Sequence, residues 1–147
     1  MAAGPFWLIP PMPDAPSPSD AVSARAAPLV VLVDDDDALL QALTFWLEVE
    51  GYAVRTCRTG EQLVASELPP ASACLVLDYK LEALNGLDAL EQLRRRGVEL
   101  PAILITSYAS PVLRGRARRL RAEVVEKPLL GDALLARIHE LLPLRPH

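Results

Sequence analysis

Leu29-Val30-Val31-Leu32-Val33-Asp34-Asp35-Asp36-Asp37 is an apolar run that ends in four consecutive carboxylates. A short run rich in β-branched residues and leucine, apolar at every position, has the pattern of a strand covered on both faces, as in a parallel sheet. The acids at its end put several like charges at one edge of that sheet. There they repel one another unless a cation sits among them. Three further apolar runs end in polar residues. Ala73-Cys74-Leu75-Val76-Leu77 ends in Asp78, Ala102-Ile103-Leu104-Ile105 in Thr106, and Val124-Val125-Glu126 in Lys127, with Pro128 behind it. In an open parallel sheet these ends meet at the edge where such sheets bind their ligands.

Tyr52–Cys57 supplies a fifth strand candidate, and helical patterns alternate with the strands. The first runs from about Ala38 to Glu50 with Leu39, Leu40, Leu43, Trp46 and Leu47 as its apolar stripe. Asp36 or Asp37 is its expected N-cap, and Gly51 suits the position just past its end. Gly60–Ser66 is a short helix. Gly86–Arg96 carries Leu87, Leu90 and Leu93, with Asn85 as N-cap and Gly97 as stop. Pro111–Arg121 opens with proline in the first turn, where its missing N–H costs nothing. The last helix follows Asp132 and carries Leu134, Leu135, Ile138, Leu141 and Leu142. Strands alternating with helices predict an α/β fold, a doubly wound five-stranded parallel sheet with helices on both faces.

The chain has 147 residues and a formal net charge of −4. That length suits one domain with a full core, and that charge carries no overall signal for nucleic acid. Residues 1–27, rich in Pro, Ala and Ser and without periodicity, read as a disordered extension. The extension begins without a basic region and is broken by Pro5, Pro10, Pro11 and Pro13, so it does not read as a signal peptide. Met12 offers a second start. Residues 28–143 are the expected domain, and 144–147 a tail. No apolar run reaches the length of a membrane span. Cys57 and Cys74 lie in apolar strand contexts and read as buried free thiols of a reducing cytoplasm.

The acidic cluster by itself is open to a plain reading as a solvated turn with a helix cap. A calcium loop fits poorly, since Leu39 and Phe45 stand where an EF-hand needs Gly and Glu. Magnesium takes only one or two carboxylates from a protein and keeps several waters, which Asp34, Asp35 and Asp78 can satisfy. A carboxylate beside such a cation can attack phosphorus and form an acyl phosphate. A threonine hydroxyl can hydrogen-bond a phosphoryl oxygen, and lysine is a compact charge suited to the same oxygens. Asp78, Thr106 or Lys127 alone would be an ordinary strand end; together at one edge they form a site.

The chain resembles the receiver domain of two-component response regulators over about residues 28–143. The resemblance rests on Asp34-Asp35 after Val-Leu-Val, Asp78 after Leu-Val-Leu, and Gly86 eight positions beyond it. It also rests on Ile-Thr106-Ser107 and Glu-Lys127-Pro128-Leu. It implies the flavodoxin-like sheet of that family, with Asp78 as phosphoacceptor for a sensor histidine kinase or phosphotransfer protein. It implies Mg2+ bound directly by Asp35 and Asp78, through water by Asp34, and by the backbone carbonyl of Lys80. Lys127 would contact the phosphoryl group, and Thr106 would couple it to a conformational change. The Lys127–Pro128 bond is often cis in the family. The implied role is a signalling module that acts through protein contacts, catalysing only its own phosphorylation and dephosphorylation.

Several positions depart from the family pattern. Leu81-Glu82 replaces Met-Pro after the phosphoacceptor, Ser107 follows the threonine, and Leu120-Arg121 replaces Gly-Ala before the fifth strand. Val124 replaces an aromatic that rotates inward when the threonine moves, so another coupling is expected here. Arg114, Arg116, Arg118, Arg119 and Arg121 lie on the helix 111–121, with Leu113, Ala117 and Leu120 on its packing face. That basic face is a solvated surface or an interface, for an acidic partner or for a homodimer. DNA binding is not expected, since only Pro143-Leu144-Arg145-Pro146-His147 follows the last helix. Two alternatives remain: a haloacid-dehalogenase-like phosphatase built on Asp34-x-Asp36, and a pseudo-receiver that binds partners without phosphate.

Overall fold

The computed structural model describes residues 27–129 and 132–144. The expected extension, apart from Ala27, and residues 145–147 of the expected tail lie outside them. Five strands form one sheet: β1 (Leu29–Val33), β2 (Ala53–Cys57), β3 (Ala73–Asp78), β4 (Ala102–Thr106) and β5 (Ala122–Glu126). All pairings are parallel, in the order β2-β1-β3-β4-β5. Five helices alternate with them: α1 (Asp37–Glu50), α2 (Gly60–Ala65), α3 (Gly86–Arg95), α4 (Pro111–Arg119) and α5 (Ala133–Leu141).

The central strands are buried at every position because both faces are covered. Val31, Val33, Leu75, Leu77 and Leu104 point to one face and pack under α2, α3 and α4. Val30, Leu32, Val76, Ile103 and Ile105 point to the other and pack under α1 and α5. Each fully buried Leu, Ile or Val contributes about 1.5–3 kcal/mol of transfer free energy before entropy is counted.

Local sequence explains the helix limits. Asp36 caps α1 by accepting the Leu39 N–H at 3.2 Å, and Asn85 caps α3 by accepting the Asp88 N–H at 2.8 Å. Gly51, at φ 114°, ends α1 in the left-handed region that glycine enters without strain. The expected apolar stripe of α1 is narrower than its sequence pattern. Leu40, Leu43 and Leu47 are buried, whereas Trp46 is 47% exposed at the edge of that arc.

The connection from α4 to β5 also differs from expectation. The helix ends at Arg119 rather than Arg121, and β5 starts at Ala122 rather than Val124. Arg121 turns the chain at φ 59°, a region that costs a residue with a Cβ about 1–2 kcal/mol. The guanidinium of Arg94 holds this turn by donating to the carbonyls of Leu120 at 2.9 Å, Val98 at 3.0 Å and Leu100 at 2.7 Å. Leu144, placed in the expected tail, is half-buried against the α1–α5 face.

Candidate functional site

Register brings the predicted residues to one edge. Val33 pairs with Leu77, so Asp34 stands level with Asp78, and Asp78 pairs with Ile105 just before Thr106. Thr106 in turn pairs with Glu126, the residue before Lys127. The strand order reverses between β1 and β3, the switch point at which such sheets open a crevice. Carboxylate oxygens of Asp34, Asp35 and Asp78 lie within 4.8 Å of one another.

Each side chain is held differently. Asp34 is buried, and one of its oxygens accepts the Asp36 N–H at 3.0 Å. Asp35 is exposed. Asp36 spends its carboxylate on the α1 cap, and Asp37 pairs with Arg58, so neither joins the cluster. Asp78 is 5% exposed, and its Oδ1 accepts no hydrogen bond. Lys127 Nζ stands 3.3 Å from that oxygen, at ion-pair distance without the alignment of a hydrogen bond. The Lys127–Pro128 peptide is cis.

Gly86 explains how the buried aspartate is reached by α3. A Cβ there would lie 2.5 Å from the backbone oxygen of Asp78, so only glycine lets the helix start this close. The intervening loop is anchored by Leu81, buried in the core beneath α3. Lys80 is exposed in that loop, two positions past Asp78.

Burial and like charge act together on the two inner acids. Burial raises the pKa of Asp34 most; the Asp36 N–H opposes this, and the charges of Asp78 and Asp35 add to it. Burial also raises Asp78, opposed by Lys127 and by the Lys80 N–H. One lysine beside three carboxylates leaves excess negative charge. The donor set is hard oxygen only, and one buried oxygen has no hydrogen bond, so the residues fit a magnesium ion.

Thr106 is buried, but its hydroxyl faces its own loop. It donates to Tyr108 O at 3.2 Å and accepts the Tyr108 N–H at 3.4 Å. Sequence reasoning missed Glu126. Its carboxylate accepts the Ala109 N–H at 2.9 Å and pairs with Arg114 at 3.5 Å, tying β5 to α4. An acid next to Lys127 at the same sheet edge was the available signal. Val124 is half-buried and packs into the core on the α4 side.

The arginine-bearing helix is partly spoken for within the domain. Arg116 bridges Asp88 and Glu91 of α3, each at 2.7 Å, and Arg121 pairs with Glu99 at 2.9 Å. Leu113 and Ala117 are buried beneath it, as the spacing predicts. Val112 and Tyr108 at its start are exposed. Among the described residues, no helix is long and apolar enough to cross a membrane.

Comparison with known proteins agrees with this geometry. The response regulator receiver domain family matches residues 30–139. The transcriptional regulatory protein FixJ of Azorhizobium caulinodans is 31% identical over 114 residues, covering 77% of this chain and 54% of that protein. The C4-dicarboxylate transport transcriptional regulatory protein DctD of Pseudomonas aeruginosa is 34% identical over 117 residues, 79% of this chain and 25% of that protein. The chain thus spans a quarter to about half the length of these curated relatives. The non-phosphorylated HemR receiver domain of Leptospira biflexa superposes with a TM-score of 0.73 at 32% identity, covering 82% of this chain and 98% of that one.

Proposed function

The chain belongs to the response regulator receiver domain family, and on that premise we propose that Asp78 takes a phosphoryl group from a sensor histidine kinase or phosphotransfer protein. The observation that carries this reading is the state of Asp78. It is a buried carboxylate with one oxygen free of hydrogen bonds, beside Lys127 and level with Asp34. A carboxylate so placed is short of partners until a phosphoryl group and a cation arrive.

In the proposed step a carboxylate oxygen of Asp78 attacks the phosphorus of a phosphohistidine. The P–O bond forms as the P–N bond breaks, and the imidazole nitrogen leaves with the electron pair and takes a proton. Asp35, Asp78 and the Lys80 backbone carbonyl would hold a magnesium ion directly and Asp34 would hold it through water; when bound, the ion would supply positive charge to the phosphoryl oxygens. Lys127 holds a further phosphoryl oxygen by its ammonium. Thr106 turns its hydroxyl from Tyr108 towards the phosphoryl group and draws the loop 107–110 with it. Attack of water on the same acyl phosphate releases inorganic phosphate and returns Asp78 to the carboxylate.

Output then passes by protein contact at the start of α4, in the cytoplasm, where such phosphodonors work. Exposed Tyr108 and Val112 with the basic side chains of α4 suit an acidic, partly apolar partner or a second copy of this chain. The internal pairing of Arg114, Arg116 and Arg121 supports a protein-facing surface over a DNA-facing one. Asp36 is committed to the α1 cap, so the Asp34-x-Asp36 pair of a phosphatase is not assembled, and the family match removes that alternative.

A phosphotransfer assay on wild type, Asp34→Asn and Asp78→Asn tests the reading. Wild type should accept the phosphoryl group and Asp78→Asn should not. Asp34→Asn should accept it slowly. Equal labelling of Asp78→Asn and wild type would rule the proposal out, and with no labelling of wild type by any donor the chain would be a pseudo-receiver.

A further inference from the structure

The face of the domain away from α4 carries an open apolar groove of about 430 Å3 between α1 and α5. Leu39, Ala42, Trp46, Leu129 and Leu135 line it, with Phe45 at its rim. Phe45 is 69% and Trp46 47% exposed, large apolar surfaces left in water. Contiguous exposed apolar surface of this kind marks a binding site more often than chance. The site proposed above uses none of these residues.

The chain holds a fitting occupant. Residues 1–27 contain one run of bulky apolar side chains, Phe6-Trp7-Leu8-Ile9, set between Pro5 and Pro10-Pro11. Pro10 disfavours helical backbone at Ile9 before it, which trims the entropy lost on docking. We propose that the α1–α5 groove is the docking site of this chain's own segment Phe6–Ile9.

The tether favours this occupant. Pro28 O accepts the Ala53 N–H at 2.9 Å, so the chain enters β1 beside the turn that ends α1. Leu144, just beyond α5, reaches the same place, within 3.5 Å of a Cβ built on Gly51. The groove therefore starts near the point where the tether emerges and runs along α1, a helix about 20 Å long at ~1.5 Å per residue. Residues 10–27 can stretch to about 60 Å at ~3.3 Å per residue. Pro10, Pro11, Pro13, Pro16 and Pro18 favour extended backbone at ~3.1 Å per residue, so the stretch reaches the groove with length to spare. A tether that reaches its site raises the local concentration of the segment above that of an untethered copy. Only Asp14, Asp20 and Arg25 are charged between the segment and the domain, so charge does not hold the segment off.

The test places a single nitroxide on the full chain through Ala3→Cys; the native Cys57 and Cys74 are buried and should not be labelled. The expected result is loss of amide NMR signal at Leu39, Ala42, Trp46 and Leu135, with the α4 face unaffected. The loss should persist when the labelled chain is diluted into unlabelled chain. It should vanish with Trp7→Ser and Leu8→Ser together, or with Ala42→Glu at the exposed rim. Signal retained along α1 and α5, or a loss spread evenly over the surface, would overturn the proposal. Loss that disappears on dilution would assign the groove to a second copy, and would overturn it equally.

Discussion

The carboxylate of Glu126 accepts the backbone N–H of Ala109 across 2.9 Å. The residue beside Lys127 therefore holds the loop that follows Thr106, and through Arg114 it also holds the first turns of α4. With Val124 in place of an aromatic, these two contacts link the end of β5 to the loop before α4 and to α4 itself. Glu126→Ala should cost about 0.5–1.5 kcal/mol, the range for one partly exposed hydrogen bond. Amide hydrogen exchange at residues 107–112 should speed up while the core of β3 stays protected. Unchanged exchange in that loop would remove the link.

Thr106 supplies the other half of the switch. Its hydroxyl is bonded to Tyr108 and gains a better acceptor only when a phosphoryl group is present. Thr106→Ala should leave phosphorylation of Asp78 largely intact but blunt the exchange response across 106–121 to a beryllofluoride mimic. Lys127→Ala should blunt it too and slow transfer, because it removes the ammonium 3.3 Å from Asp78. A full response from Thr106→Ala would contradict this route.

The acidic cluster sets the response to metal and to pH. Burial raises the pKa of both Asp34 and Asp78 above the usual aspartate value. An acid raised in this way favours the native state below its unfolded pKa, and that benefit is lost as pH rises through the folded value. At neutral pH the metal-free protein therefore carries a penalty that Asp34→Asn or Asp78→Asn relieves. Each should raise the melting temperature, by roughly 3–6 °C per ~1 kcal/mol, and the gain should shrink as pH falls towards 3.8. Magnesium should also raise the melting temperature of wild type by linkage, and Asp35→Asn should weaken its binding. Melting curves indifferent to both would mean that these acids share no site.

Gly86 tests how closely α3 must approach Asp78. Gly86→Ala would push a methyl group against the Asp78 carbonyl, only 2.5 Å away, with no flexible side chain to yield. The expected cost is about 1–3 kcal/mol by denaturant unfolding, with slower phosphorylation of Asp78. A neutral result would show that the loop 79–85 adjusts freely.

Strand ends were the legible part of this chain. An apolar run stopped by Asp34, Asp78 or Thr106 declares both a buried strand and the edge where it emerges, and Gly51, Asn85 and Gly97 mark helix ends by local chemistry. Trp46 was misread because a wide helical arc of apolar residues does not say which of its edges meets the sheet. The roles of Glu126 and Arg94 were not legible. Glu126 reaches the Ala109 N–H and Arg94 the Leu120 carbonyl, backbone groups distant in sequence, and such contacts leave no pattern in neighbouring residues. The late start assigned to β5 has a similar cause, since Ala122-Glu123 alternates weakly and follows a turn taken by Arg121 without glycine.

The central claim is that the acyl phosphate forms on Asp78, and borohydride trapping tests it most directly. Reduction of an aspartyl phosphate leaves homoserine at the modified position. After incubation with magnesium and acetyl phosphate or a phosphorylated histidine kinase, peptide mass mapping should find homoserine at position 78 and not at 34, 35, 36 or 37. Homoserine at position 34, or its absence from 78 in wild type that has demonstrably taken up phosphate, would contradict the account.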